Sequence, residues 1–440
     1  MHYVKIAIIG LGFVGLSFAA VLGNKNFSVL GVDNNKKKIS TIISGKTPFF
    51  EPKLAHTLKL ALKKSLNIIS DIDLAVNQCD LIFVTVGTPI SKTNNINLNM
   101  LKSAIEKIGI SLSKTKKKPI IIIKSTVIPG TTQKIVKPIL EKKSKKLSSI
   151  GFSIITNPEF LREGSAIDDT LKPHLIVVGG NENVAIKQVL NFYKKLYSKK
   201  IKTIITNHQT AELIKYANNS FLATKISFIN QIANICQSVP ETNVDDVANA
   251  IGLDPRIGNL FLKAGPGYGG SCLPKDLQAM ITFSSQIGSD PLLLKAVQQT
   301  NVFQITNILK LIEKLIGNIK RKNIAILGLS FKENSDDIRE SVSIKLIELL
   351  LKKQANVSVF DPKAIENTRK IFHDKIRYAD SINDVLINSQ CAVIMTPWKQ
   401  FQNIKNNTFK NMKTKYVIDT RRILKHDNLN IEYYAVGIGK

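Results

Sequence analysis

Negative charge is scarce in this 440-residue sequence: 33 Asp and Glu face 62 Lys and Arg, a formal net charge of +29. Arginine is scarcer still. It occupies eight positions (162, 256, 321, 339, 369, 377, 421 and 422), so most of the positive charge is lysine. The lysines lie in short runs along the whole chain, as within 36–38, 114–118, 142–146 and 199–202. No aromatic residues interleave with them as base-stacking platforms, which argues against a nucleic-acid partner. The four cysteines, at 79, 236, 272 and 391, are too few and too scattered for a disulfide framework or a CxxC zinc site. A reducing compartment and no metal are expected. With 44% hydrophobic and 22% charged residues, disorder is excluded. The length suits two or three domains, each with its own core.

One uncharged stretch, residues 6–23 behind Lys5, has the outline of a signal peptide or membrane span. Its glycines give a better account. An apolar strand pattern, Val4-Lys5-Ile6-Ala7-Ile8-Ile9, runs into Gly10-Leu11-Gly12-Phe13-Val14-Gly15, then a helical stretch, then a second strand over 27–32 that ends at Asp33. Strand, glycine turn, helix, strand and acid in that order form the dinucleotide-binding fingerprint. The first glycine permits the tight turn, the second lets backbone approach a pyrophosphate, and the third lets helix and strand pack closely. The helix N-terminus offers unpaired amides and a positive dipole end. Asp33 would accept bonds from ribose hydroxyls, and an acid there favours NAD over NADP. The chain therefore reads as lacking any membrane span, and as cytoplasmic.

Buried strand patterns recur at 81–86, 120–124, 152–156 and 175–178, alternating with helical stretches, so a parallel doubly wound sheet is expected. Residues 209–238 contain neither Gly nor Pro and read as one long helix, a spine or a dimer interface. More helix is expected over 244–302. The tail then repeats the head: Lys322-Asn323-Ile324-Ala325-Ile326-Leu327-Gly328-Leu329 echoes residues 5–11, Val357-Ser358-Val359-Phe360-Asp361 echoes 28–33, and 391–397 echoes 79–89. The copy lacks the second and third glycines, with Ser330 at the place of the second. The copy should therefore bind a nucleotide differently, across an interdomain cleft. The expected architecture is α/β, with two Rossmann-like doubly wound parallel-sheet domains (1–205 and 303–440) joined by a central helical domain (206–302) carrying the spine helix.

The segment richest in chemistry is Gly265-Pro266-Gly267-Tyr268-Gly269-Gly270-Ser271-Cys272-Leu273-Pro274-Lys275-Asp276. Glycines around Cys272 leave its sulfur approachable, and cations nearby favour the nucleophilic thiolate. The other three cysteines sit in apolar runs and read as small buried hydrophobes. This loop resembles the catalytic cysteine loop of the UDP-glucose/GDP-mannose dehydrogenases, and the resemblance covers essentially the whole chain. Asn157-Pro158-Glu159-Phe160-Leu161-Arg162-Glu163-Gly164 is similar to that family's second signature. Lys215-Tyr216-Ala217-Asn218-Asn219-Ser220-Phe221-Leu222 is similar to its central-helix motif. Asp254-Pro255-Arg256-Ile257-Gly258, Phe331-Lys332 with Arg339-Glu340-Ser341, and Asp419-Thr420-Arg421-Arg422 also match.

The resemblance implies oxidation of a nucleotide-sugar primary alcohol to a carboxylate in two hydride transfers to NAD. The aldehyde would be trapped by Cys272 as a thiohemiacetal, oxidised to a thioester and hydrolysed, which suits a nucleophile that is also a good leaving group. Lys215 and Asn219, one helical turn apart, would hold the sugar oxygen and developing negative charge. Asp276 would position or deprotonate a water. Glu159 would act in thioester hydrolysis, with Glu163 and Thr126 ordering water and cofactor. If Pro158 starts a helix, Glu159 and Glu163 share a face.

On the cofactor side the resemblance adds Lys38, Gly87, Thr88, Lys275 and Arg339 to the glycine turn and Asp33. On the substrate side it implies Phe160, Leu161, Arg162, Phe261, Lys263, Gly269, Phe331 and Lys332. In so lysine-rich a chain, arginine kept inside the matched motifs points to bidentate binding of phosphate or carboxylate. That assigns Arg256, Arg421 and Arg422 to substrate, Arg256 reaching either its own or a neighbouring subunit's site. Leu273 after the cysteine is familiar from GDP-mannose enzymes, whereas Arg256-Ile257-Gly258-Asn259 and residues 215–230 look like the UDP-glucose branch. Pro240-Glu241-Thr242-Asn243 departs from the family's usual run. UDP-glucose going to UDP-glucuronate, in a homodimer or higher homo-oligomer, is the leading expectation. GDP-mannose or a UDP-N-acetylhexosamine is the alternative within the family, and a non-catalytic basic nucleic-acid-binding protein the alternative outside it.

Overall fold

The computed structural model describes residues 4–91 and 93–439. The chain divides into two compact units between Asn218 and Asn219.

The first unit is built on an eight-stranded sheet. Its strands are β1 (Ile6–Ile9), β2 (Val29–Val32), β3 (Leu66–Ile69), β4 (Leu81–Val84), β5 (Ile120–Ile123), β6 (Ser153–Thr156), β7 (Ile176–Gly179) and β8 (Thr203–Thr206). They lie in the order β3-β2-β1-β4-β5-β6-β7-β8. The first six are parallel, with Ile6 level with both Val29 and Leu81. Strand β7 joins antiparallel to β6 at Thr156–Gly179, and β8 runs parallel to β7. The sheet is thus parallel except at that one join. Central strands read as continuous apolar runs because both faces are covered. Ile6, Ile8, Phe83 and Ile122 face one apolar layer with Phe18 and Phe192, while Ala7, Ile9, Ile82 and Ile121 face the other with Leu101 and Ile105.

The order of strand addition reverses between β1 and β4, the switch point where open α/β sheets place their ligands. The uncharged stretch 6–23 is β1, the glycine turn and most of the Phe13–Asn24 helix. Among the described residues no helix is long and apolar enough to cross a membrane.

The expected spine is the helix His208–Cys236, 29 residues and about 44 Å long. Its first turns are tied to the first unit: Glu212 accepts from the backbone amides of Gly130 (2.5 Å) and Thr132 (2.8 Å), and Thr156 Oγ1 pairs with His208 Nδ1 at 2.9 Å.

The second unit carries the helices Val244–Gly252, Leu273–Gln286 and Leu292–Ile316. The last of these runs unbroken through residue 302. Six parallel strands follow: β9 (Asn323–Leu327), β10 (Asn356–Phe360), β11 (Arg377–Tyr378), β12 (Cys391–Ile394), β13 (Tyr416–Asp419) and β14 (Glu432–Ala435). Their order, β11-β10-β9-β12-β13-β14, reproduces that of the first six strands, so the sequence echo is a structural duplication. Val436 enters the core of this unit, and Gly437 O accepts from Val244 N.

Candidate functional site

Three glycines at the end of β1 do three different jobs. Gly10 turns the chain at φ +99°. A methyl on Gly15 would fall 1.9 Å from Gly10 O and 2.5 Å from Thr85 Oγ1, so the third glycine is a packing requirement. A methyl on Gly12 would meet nothing within 4 Å. That open space lies at the uncapped N-terminus of the Phe13–Asn24 helix, whose first turn holds Phe13 and Val14 and no acidic residue. Bare amides, a positive dipole end and room for an anion suit a pyrophosphate.

Asp33, buried at the end of β2, accepts from Leu11 N (2.9 Å), Asn35 N (3.0 Å) and Lys38 Nζ (2.7 Å). Burial opposes its ionisation, but Lys38 and the two amides outweigh that and hold its carboxyl below the usual range. Beyond β4 and β5, Thr88 Oγ1 donates to Thr126 O at 2.7 Å, joining the two loops that follow these strands, with Gly87 exposed beside them.

At the end of β6 stands a buried ion pair. Lys215 Nζ lies 3.3 Å from Glu159 Oε1, and both side chains are under 8% exposed. Lysines on helices of lysine-rich proteins ordinarily face water; this one does not. Glu159 Oε2 also accepts from Leu161 N (2.5 Å), and Lys215 Nζ sits 5.3 Å from the centre of the Phe160 ring.

Pro158 does not start a helix, which corrects the expectation that Glu159 and Glu163 share a face. The chain is irregular from 157 to 165, and the next helix is Ala166–Leu171. Asn157 gives its amide to Val177 O, and Glu159 turns back on Leu161 N. Side-chain bonds to nearby backbone compete with helix formation. Glu163 lies in the turn that follows, where Glu51 binds the amides of Gly164 and Ala166.

Sequence reasoning missed Lys124. It is buried, donates to Asn157 Oδ1 at 3.1 Å, and is pushed down to about 8 by burial, against the pull of Glu159 and with the push of Lys215. The available signal was a lysine closing an all-isoleucine strand at the ligand-binding edge of the sheet.

In the second unit the cysteine loop is held by side-chain amides rather than by regular structure. Asn230 Oδ1 accepts from Gly265 N (2.8 Å) and Gln304 donates to Gly265 O (3.0 Å). Asn301 clamps Tyr268 twice, accepting from its N–H at 2.8 Å and donating to its carbonyl at 3.0 Å. Gly269 lets the loop reach the Arg339–Glu340 turn: a methyl there would lie 2.2 Å from Glu340 O and 3.3 Å from Phe331 Cβ.

The loop delivers Cys272 to the N-cap of the helix Leu273–Gln286, where the dipole favours a thiolate. Its sulfur is half-buried, 3.6 Å from Ser271 Oγ. One turn on, Asp276 is 1% exposed. Its oxygens bind Lys275 Nζ (2.5 Å) and Asn219 Nδ2 (2.6 Å), and each keeps a lone pair for a water. Burial pushes the Cys79 and Cys391 thiols up to about 12, so neither competes as a nucleophile.

The arginines divide. Arg162, Arg256 and Arg339 are exposed, each forked onto an aspartate close by in sequence, Asp169, Asp254 and Asp337. A phosphate or carboxylate could replace such a partner in kind. Arg421 donates Nε–H to Met395 O at 2.8 Å beside Gly265.

Arg422 departs from the expectation of a substrate role. It bonds Asp245 (2.8 Å), Val436 O (3.0 Å) and Ala264 O (3.0 Å), so it braces the fold instead. Phe331 and Lys332 are half-buried, Phe261 stands at φ +65°, and Lys263 is exposed.

Sequence models of the UDP-glucose/GDP-mannose dehydrogenase family match in order: its NAD binding domain over residues 4–198, its central domain over 209–302 and its UDP binding domain over 325–426. The chain is 38% identical to a UDP-glucose 6-dehydrogenase of Rickettsia felis over 443 aligned residues, covering 98% of this chain and 96% of that protein. It is also 38% identical to the UDP-glucose 6-dehydrogenase TuaD of Bacillus subtilis, covering 98% and 93%. Among solved structures, a UDP-glucose dehydrogenase from the hyperthermophilic archaeon Pyrobaculum islandicum superposes with a TM-score of 0.93 at 32% identity, covering 99% of this chain and 98% of that one.

Proposed function

Because the chain belongs to the UDP-glucose/GDP-mannose dehydrogenase family, we propose that it oxidises UDP-glucose to UDP-glucuronate through a thioester on Cys272. The observation that carries this reading is Cys272 at a helix N-terminus with Asp276 one turn on, bound by Asn219 and Lys275. The glycine turn, with open space at Gly12 and an ionised Asp33, fits the dinucleotide that an NAD-binding domain takes. Bound NAD supplies the acceptor for two hydrides in succession.

The protein's own groups do the rest. Lys215 and Asn219 donate to the sugar oxygen as its proton leaves, and Asp276 fixes the water that receives that proton. The Cys272 thiolate adds to the aldehyde carbon. After the second oxidation the acyl group is a thioester. Glu159 takes a proton from the water that attacks it, and the C–S bond breaks with its electron pair on sulfur. Thr126 and Glu163 order water and cofactor, with Lys38, Gly87, Thr88, Lys275 and Arg339 on the cofactor side. The nucleotide sugar is taken by Phe160, Leu161, Arg162, Arg256, Phe261, Lys263, Gly269, Phe331, Lys332 and Arg421.

The test is NADH formation from NAD and a panel of nucleotide sugars. Two NADH per UDP-glucose support the reading; turnover of only GDP-mannose or a UDP-N-acetylhexosamine replaces it. The reading is of a cytoplasmic enzyme, in keeping with four cysteines none of which forms a disulfide. A homodimer through the spine helix is supported by Phe221, Phe228 and Ile235, spaced by sevens and each more than half exposed. Such spacing lines one helix face. Phe228→Glu should then give a lighter species by sedimentation, and an unchanged mass rejects this face.

A further inference from the structure

A cleft in the first unit runs from the surface to the buried Lys124–Glu159 centre. Lys172 and His174 are exposed at its rim beside half-buried Leu175, and Lys124, Asn157 and Glu159 form its floor. No residue of the glycine turn lines it. Its volume is about 50 Å³, room for about two to four waters and for nothing the size of a sugar.

One group on the floor is short of acceptors. An ammonium carries three protons. Lys124 Nζ donates to Asn157 Oδ1 and lies 5.3 Å from the centre of the Phe18 ring. Asn157 is already committed, to Val177 O and the Tyr193 hydroxyl. Glu159 on the same floor is engaged by Lys215 and Leu161 N. The cleft that Lys124 lines is where its remaining protons can find oxygen. Burial, with the Lys215 charge adding to it, pushes this ammonium down to about 8 against the pull of Glu159, the direction expected where protein alone solvates it poorly. Most of the cleft wall is apolar, but its floor carries Lys124, Asn157 and Glu159, and a cavity with such polar groups beside an under-solvated ammonium takes up water.

We propose that this cleft is the water inlet of the hydrolytic step, holding ordered water on Lys124 Nζ and passing to Glu159 the molecule that cleaves the thioester. The inference rests on the proposed function, in which Glu159 needs a water late in the cycle. A separate narrow inlet delivers one without admitting larger nucleophiles. The water oxygen bonds to the acyl carbon and the C–S bond breaks with its pair on Cys272 Sγ. One water proton goes to Glu159, and the other is shed by the new carboxylic acid.

Two variants test this. Lys124→Met removes the water anchor at similar length, and Leu175→Trp narrows the rim without touching the floor. Enzyme, NAD and UDP-glucose are mixed rapidly, NADH is followed, and acid-quenched samples are weighed by intact-protein mass spectrometry. Both variants should form the two NADH of the first turnover at the wild-type rate and then accumulate acylated Cys272. Steady-state kcat should fall about tenfold or more, with KM for UDP-glucose within about twofold. Absence of acyl-enzyme in Leu175→Trp, or slowed NADH formation in the first turnover of both variants, overturns the proposal. If Lys124→Met fails to fold, Leu175→Trp decides alone. Failure of the wild type to yield two NADH per UDP-glucose would sink the underlying function. Success there with no acyl-enzyme in the variants sinks only the inlet.

Discussion

Gly12 and Gly15 sit three residues apart in one turn, yet a methyl group should do opposite things at the two positions. At Gly12 the backbone is φ −78°, ψ −164°, a conformation any L-residue adopts, and a new Cβ would meet nothing within 4 Å. Replacing an N-cap glycine by alanine should therefore cost folding about 1 kcal/mol or less. The same methyl would stand where a pyrophosphate approaches the helix amides. NAD affinity should fall about tenfold or more, which is about 1.4 kcal/mol.

At Gly15 the methyl would lie 1.9 Å from Gly10 O, inside the bond that Thr85 Oγ1 makes to that carbonyl at 2.7 Å. Backbone must move and a buried bond opens, for about 3 kcal/mol or more. That corresponds to a fall in Tm of about 6–12 °C for a unit of this size. Thermal unfolding and calorimetric NAD titration read the two effects separately. Gly12→Ala with unchanged NAD affinity, or Gly15→Ala with unchanged Tm, would refute the division of labour.

Cys272→Ser should abolish acid production from UDP-glucose, and acid formed at the wild-type rate would rule out covalent catalysis through that sulfur. Lys215→Met strips Glu159 of its ion-pair partner in a buried site. It should cost about 3–5 kcal/mol of stability as well as activity, whereas Lys215→Arg should recover much of the stability in chemical denaturation. Burial, with help from Lys137, lowers His208 to about 4, against about 6.5 in an unfolded chain. Between those values the unfolded state holds the extra proton, so stability is full above pH 6.5 and is lost as pH falls toward 4. The loss is about 3 kcal/mol, and a denaturation series in His208→Gln should be flatter by that amount over the same window.

Much of the architecture was legible because it rests on short-range rules. The order strand, glycine turn, helix, strand and acid recurs at both ends of the chain, and both sheets share the order it implies. What escaped was set by tertiary context. Strands β3 and β8 sit at the two edges of their sheet, where one side is unpaired and the pattern Leu-Asn-Ile-Ile or Thr-Ile-Ile-Thr carries too little apolar signal. The antiparallel join of β7 depends on a crossing that no local pattern records. Pro158 was a reasonable helix start, defeated by side-chain bonds from Asn157 and Glu159 that form only in the fold. The burial of Lys215 and Lys124 was invisible for a related reason: periodicity assigns a face to a residue but does not say what lies opposite.

The duplicated domain gives the sharpest use of that context. Asp361 ends β10 as Asp33 ends β2, and each accepts from the amide after the first glycine of its turn, Leu329 N at 2.7 Å and Leu11 N at 2.9 Å. Beyond that bond the two differ. Asp33 meets one more amide and the part-exposed side-chain cation of Lys38, a partner that a ribose hydroxyl can displace. Asp361 also binds Ser330 through both N–H and hydroxyl, the Trp398 indole N–H, and the amides of Lys363 and Ala364. Its lone pairs are spent on groups that cannot leave. Ser330 stands where Gly12 leaves open space, so the obvious repair is Ser330→Gly. That change removes one hydroxyl from a carboxylate still held by four amides and an indole, and should leave NAD stoichiometry at about one per chain in calorimetric titration of the full-length protein. A second equivalent appearing in Ser330→Gly would mean that the glycine pattern alone, and not the availability of the acid, decides which copy binds the dinucleotide.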